Sequence, residues 1–332
     1  MRTGTGPSAA SPFAYGLAAY ERGDFALALR VWHPLAQAGD AHAQFNLGLM
    51  YDRGQGVPRD AAQAARWYGR AADQNDADAL HNLSILLAEG DGAPRDPATA
   101  LKLARRAAVQ GHAAAQHNLA LAYDRGEGAE RDPAEALIWF RKAAEGGLAE
   151  ARRTLAQMYD AGEGTAQDEA QARRWQLALA EQGDTEAQFN LALKCAKGRG
   201  GPRDDAQALT WYSRAADRGH LLARYNLGVM FHVGQGVPAD PASAAACWRA
   251  AASQGLAVAQ FSLGALYARG EGVARDPKQA AVLFALAAAR ASAGQMALRQ
   301  MALRNRAAVA RGFSADELAE VDERARAWLA RA

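Results

Sequence analysis

Four groups of residues in this chain have types and spacings that could do chemistry. The stretch Asp52–Asp60, DRGQGVPRD, holds a Gly-x-Gly able to cradle a phosphate, between two carboxylates able to hold a cation. His81 and His117 stand 36 residues apart, at like places in like surroundings, and two imidazoles brought together could start a metal site. Trp67, Trp139, Trp175 and Trp211 could form a ladder on which sugars stack. Cys195 and Cys247 supply two thiols, with no CxxC and no set of staples, so they do not fix a redox compartment. The signatures of common catalysts are missing: there is no Gly-x-Ser-x-Gly, Ser-x-x-Lys, His-Glu-x-x-His or Gly-Lys-Ser/Thr.

The first group is explained by recurrence. DRGQGVPRD returns as AEGDGAPRD from Ala88, DRGEGAERD from Asp124, DAGEGTAQD from Asp160, AKGRGGPRD from Ala196, HVGQGVPAD from His232 and ARGEGVARD from Ala268. Seven units of 36 residues tile 43–294 without a gap, and seven positions never change: those of Ala43, Leu47, Gly54, Gly56, Asp60, Ala64 and Ala72. A period of this length marks a repeat array, which needs no single core however long the chain.

Each unchanged position has a mechanical purpose. Ala43, Leu47 and Tyr51 recur at i, i+4, i+8 and form the apolar stripe of a first helix. Gly54 suits a left-handed C-terminal cap. Asp60 suits the N-cap of a second helix, followed in four units by Pro at its first turn (97, 133, 241, 277). Gln or Glu three residues on (63, 135, 171, 207, 279) predicts an Asp-type capping box. Ala64, Trp67 and Ala71–Ala72 form the inner stripe of that second helix, which makes the Trp series core rather than ladder, and Gly111, Gly147, Gly183, Gly219 and Gly255 end it. Each unit therefore reads as helix, Gly-rich loop, helix, with the loop as scaffold. By the same reasoning the two histidines are groove-lining polar aromatics without a third ligand, and the cysteines, which replace Tyr51- and Trp67-type residues, are buried small hydrophobes.

The pattern A-x-x-N-L-G-x-x-Y-x-x-G-x-G-V-x-x-D-x-x-x-A-x-x-W-Y-x-x-A-A-x-x-G, met nearly throughout by 43–78, resembles the Sel-one-like repeat, a relative of the tetratricopeptide repeat. The resemblance covers 43–294. It implies an all-α, right-handed superhelical α-solenoid of paired helices, first helices lining the concave side. It also implies an adaptor that assembles other proteins; several bacterial members are exported or act at the cell envelope. Residues 13–42 read as a shortened eighth unit that departs from the pattern at Pro34, where a kink is expected. Residues 1–12 read as a flexible tail. Beyond Gly294 the frame is lost, and 295–332 reads as two capping helices near 295–310 and 315–331, the second with Ser314 as N-cap and Glu317 at N3.

The binding reading rests on positions three, seven and ten of each first helix, which should face the concave side. They are Phe45, Leu49, Asp52; His81, Ile85, Ala88; His117, Leu121, Asp124; Arg153, Gln157, Asp160; Phe189, Leu193, Ala196; Tyr225, Val229, His232; Phe261, Ala265, Ala268. The core is served by other positions, so the apolar members are surplus to packing within a repeat and form a partner stripe, unless superhelical curvature buries them. Arg153 and Gln157, with Arg152, Arg173 and Arg174, interrupt the stripe with a polar centre. Asn46, Asn82, Asn118, Asn190 and Asn226 flank the Leu stripe, where they bond a neighbouring helix or grip a peptide backbone.

These residues point to a non-enzymatic scaffold that takes a peptide or protein segment, without cofactor or metal. A rival reading is a cell-envelope binder or hydrolase for peptidoglycan or β-lactam-type ligands; it lacks the paired cysteines and the acylatable Ser-x-x-Lys of such relatives. A third is self-association through 295–332. Composition agrees with the first: Lys+Arg 38 against Asp+Glu 36 leaves +2, spread without blocks, which is no footprint for nucleic acid. No run approaches membrane-spanning length and MRTGTGPSAASPF has no apolar h-region, so a cytoplasmic location is expected as written, or a periplasmic or envelope one if the N-terminus is processed.

Overall fold

The computed structural model describes residues 11–331. Most of the expected tail lies outside the described residues; its last two, Ser11 and Pro12, are the N-cap and first residue of a helix. Among the described residues there are eighteen α-helices and no strand. None is long and apolar enough to cross a membrane.

The chain divides into two compact units. The first, up to Gln167, holds α1 (Pro12–Glu21), α2 (Phe25–Gln37), α3 (Ala41–Arg53), α4 (Ala61–Asp73), α5 (Ala77–Glu89), α6 (Pro97–Val109), α7 (Ala113–Arg125), α8 (Pro133–Glu145) and α9 (Ala149–Ala161). Each helix packs on the next along the chain, so the unit is a stack of antiparallel pairs, as an α-solenoid is. The shortened N-terminal unit makes its own pair, and α2 runs on through Pro34 to Gln37.

The second unit, from Asp168, holds α10 (Glu169–Glu181), α11 (Thr185–Lys197), α12 (Asp205–Asp217), α13 (Leu221–Val233), α14 (Pro241–Ser253), α15 (Ala257–Arg269), α16 (Pro277–Arg290), α17 (Met296–Val309) and α18 (Ala315–Arg331). Within it each helix again packs on the next up to α16, against which both α17 and α18 pack. Val321 and Ala325 of α18 are buried with Ala281, Val282 and Leu286 of α16, which closes that helix's apolar side. Ser314 and Glu317 form a reciprocal box at the start of α18: the Ser314 N–H donates to Glu317 Oε2 at 2.9 Å, and the Glu317 N–H to Ser314 Oγ at 3.2 Å.

The core is made of small residues and a few large ones. Ala43, Leu47 and Ala64 and nearly all their counterparts are buried, so helices approach closely, and single large side chains fill what remains.

Candidate functional site

The loops come first, because they carry the densest cluster of ligand-like groups. All seven aspartates cap the second helix; Asp60 Oδ1, for example, accepts the Gln63 N–H at 2.9 Å. In six of them the aspartate's own N–H donates back to the first helix, as from Asp60 to the Tyr51 carbonyl at 2.9 Å. That second bond corrects one expectation. The N3 Gln or Glu completes no capping box, and at 63, 135, 207 and 279 the N–H it would accept is already used.

The two glycines of the loop differ in purpose. Gly54 has φ +67° as the left-handed cap of α3. Gly92, with φ +74°, is also needed for space, since a Cβ there would lie 2.2 Å from the carbonyl carbon of Ala61 at the start of α4. The equivalent glycines at 128, 164, 200 and 272 meet the preceding second helix just as closely. The capping carboxylates are committed to their own helices, and the second glycines to the close fit between successive repeats.

The other three groups settle as structure too. Trp67, Trp139, Trp175 and Trp211 are 7–8% exposed, with Arg70, Lys142, Arg174 and Arg214 respectively lying over their rings. His81 and His117 do not meet. The His81 ring lies tilted against His112 at 4.6 Å between centroids, and His117 packs edge-on against Phe140 at 5.4 Å. Burial, aided by the neighbouring His112, pushes the His81 pKa down to about 4, so this imidazole is neutral at physiological pH. No group of three or more metal-ligating side chains gathers among the described residues. Cys195 and Cys247 are free thiols on α11 and α14, both pushed up by burial.

Outside α9 the row at positions three and seven is half-buried: Phe45, Leu49, His81, His117 and Leu121 in the first unit, Phe189, Leu193, Tyr225, Val229 and Phe261 in the second. Its rings are not surplus to packing, contrary to expectation. Each rests on a buried ring of its own repeat's second helix: Phe45 on Tyr68 (5.8 Å), Phe189 on Tyr212 (6.0 Å), Tyr225 on Trp248 (6.1 Å) and Phe261 on Phe284 (5.5 Å). Phe189 is also stacked by His220 of the next repeat at 4.3 Å. At position ten, Asp52 and Asp124 face Arg59 and Arg131 of their own loops at 3.8 and 3.4 Å, exposed pairs of small energetic weight. Arg153 and Gln157 are exposed on α9, whereas Arg152 is used in packing, its Nε donating to the Ala144 carbonyl at 3.0 Å.

The asparagines divide by repeat. Asn82 and Asn226 hydrogen-bond the buried phenols of Tyr68 and Tyr212 on the preceding second helix. Asn46 turns to the His42 carbonyl of its own helix. Sequence reading missed the buried glutamines at position two. Gln44, Gln116, Gln188 and Gln260 each donate to the carbonyl eight residues back, in the last turn of the preceding second helix, at 3.0–3.2 Å. Their recurrence in alternate units at a fixed place was the available signal.

Stacked helix pairs joined by such neighbour-to-neighbour bonds define an α-solenoid of the tetratricopeptide-like class. Seven consecutive stretches, 41–76, 77–112, 113–148, 149–184, 185–220, 221–256 and 257–292, match the Sel1 repeat, and the chain belongs to that family. Among solved structures it is similar to c5321, a protective antigen of uropathogenic Escherichia coli with the same fold, at 24% identity over 96% of this chain and 91% of that one, TM-score 0.57. It is also similar to a Sel1 repeat protein from Oxalobacter formigenes, at 32% identity over 73% of this chain and 97% of that one, TM-score 0.55. A comparison with curated proteins finds no match.

Proposed function

We propose that this protein is a non-enzymatic scaffold, and that the position-three and position-seven row of its first helices receives a peptide or protein segment. Sel1 repeats generally serve as protein–protein interaction scaffolds. The observation that supports a site on this row is how its aromatics are held in the second unit. Phe189, Tyr225 and Phe261 keep part of their surface open while Tyr212, Trp248 and Phe284 fix them from behind. A ring immobilised before binding loses little entropy on contact, which is what an anchor residue requires. Leu193 and Val229 extend the apolar surface between the rings.

Because the rings touch the core, truncation to alanine would mix binding with stability, and leucine is the better probe. With a partner identified by affinity capture and mass spectrometry, the double variant Phe189→Leu, Tyr225→Leu should bind it at least tenfold more weakly, about 1.4 kcal/mol. Its melting should remain cooperative. Unchanged affinity in a folded double variant would remove the row from the binding site.

A further inference from the structure

One place in the second helix is filled by a large ring in most pairs: Trp32 in α2, Tyr68 in α4, Phe140 in α8, Tyr212 in α12, Trp248 in α14 and Phe284 in α16, all buried. Gln176 takes it in α10, and in α6 it is Ala104. Beside Ala104 the first unit has a cavity of about 440 Å³. Ser84 and Ile85 of α5, Leu101 of α6, and Asn118 and Leu121 of α7 help to form its wall, with exposed Arg95, Arg125, Glu89 and Glu127 at its edge. This volume falls among those of small-molecule sites, roughly 300–1,000 Å³. A Cβ at the place of Ser84 is compatible with a ring, as Ala120 is in the repeat of Phe140 and Ala192 in that of Tyr212, and the Ser84 hydroxyl is turned back to donate to the His81 carbonyl at 2.6 Å.

Two polar residues say what would fit. Asn82 and Asn226 bond the phenol one repeat back, and Asn118 is their counterpart for position 104, where no phenol exists. Asn118 hydrogen-bonds the His117 side chain on its own helix, which leaves further capacity in its amide. The second is Arg95. Arg59, Arg95 and Arg131 all donate through Nε to a carbonyl seven residues back. Arg59 then pairs with Asp91, and Arg131 with Glu163 at 2.5 Å. For Arg95 the corresponding residue is Glu127, which lies 3.9 Å from Arg125 instead, and position ten offers Ala88 rather than an aspartate. Among the described residues the Arg95 guanidinium meets no carboxylate.

We infer that this cavity receives a tyrosine side chain of a partner peptide, with a neighbouring carboxylate on Arg95. The incoming ring replaces the one that Ala104 omits, and its hydroxyl meets Asn118. The cavity shares Ile85 and Leu121 with the position-seven row, but a small probe tests it without the partner on which the test of the row depends.

The probe is N-acetyl-L-tyrosine, titrated into the full chain while the methyl resonances of Ile85, Leu101 and Leu121 are followed by NMR. Those methyls should shift saturably at millimolar probe. N-acetyl-L-leucine and N-acetyl-L-tyrosinamide should bind several-fold more weakly, and Arg95→Gln should abolish the preference for acid over amide. Ala104→Phe should fill the cavity and weaken the probe at least tenfold, with a cooperative melt as the check on folding. If that ring does not fit, the smaller Ala104→Leu should act in the same direction. Absence of shifts in the unaltered protein would overturn the proposal, as would equal binding by the leucine derivative or undiminished binding by a folded Ala104 variant.

Discussion

Every repeat turns twice, and the two turns are built to different tolerances. The long loop from first to second helix always ends in a capping aspartate, and its second glycine in most repeats fits tightly against the preceding second helix. The short turn to the next first helix is looser. Its cap is Asp40, Asp76 or Asp184 in three repeats and His112 or His220 in two, each ring accepting a backbone N–H at 3.0 Å through Nδ1. Leu148 and Leu256 provide no side-chain cap at all. The short turn's left-handed position is mostly glycine but is Asn75 (φ 66°) after α4. The long loop caps its own helix and sets a glycine backbone hard against the previous repeat; the short turn meets the previous repeat through side chains that vary, as His112 meets His81 and His220 meets Phe189. Constraint follows the number of contacts a position serves, not its distance from the core.

That contrast can be broken most forcefully at Gly92. Gly92→Ala puts a Cβ onto the α4 backbone and keeps a left-handed φ, so it should lower unfolding free energy by about 3 kcal/mol or more in chemical denaturation. A loss below about 1 kcal/mol would mean that adjoining repeats separate readily at the loop.

On the short-turn side, His81 packs against the capping His112. Its pKa is about 4 folded against about 6.5 unfolded. The unfolded chain therefore binds the extra proton between those values, and stability should be level above pH 6.5 and fall as the pH drops toward 4. With solvent on its open side screening part of the penalty, the loss is about 1–2 kcal/mol. His81→Phe should flatten that part of the profile in melts at pH 7 and pH 4.5; an unchanged slope would assign it to other groups.

Smaller still is the cap. Asp132→Ala should lower stability by about 1 kcal/mol. Smallest is Gly111→Asn, where φ is +90° and a side chain would meet nothing within 4 Å. By the precedent of Asn75, melting should move by a few tenths of a kcal/mol at most. A larger effect there than at Asp132 would reverse the comparison.

Helix positions and pairing were legible because each repeat's stripe and caps recur seven times, so the frame reinforces itself. The close approach of Gly92 to α4 was not, since a glycine needed for φ and one needed for space look the same in sequence. The capping box failed because the fate of the Asp60 N–H depends on the Tyr51 carbonyl, a contact folded into the loop. The position-three rings were misjudged for a related reason: Phe45 and Tyr68 lie 23 residues apart in a pattern that shows each helix's periodicity but not how deep a pair closes. Ala104 was visible as a departure from the aromatic at 68, 140, 212, 248 and 284, but only the packing turns a departure into a cavity.

The buried glutamine bond has a further consequence, for how such a chain can change length. Arg152 occupies the same place as Gln116, each reaching the carbonyl eight residues back, Ala144 and Ala108 respectively. Excise residues 113–148 and the residue eight before Arg152 becomes Ala108. The donor that spoke to one neighbour would find the same acceptor on another, and the splice would fall in the permissive short turn. Removal of 35 or 37 residues would leave that donor facing the wrong carbonyl. The molecule is thus divisible in whole steps of its period, and genetic duplication or loss of a repeat can proceed without inventing a new joint.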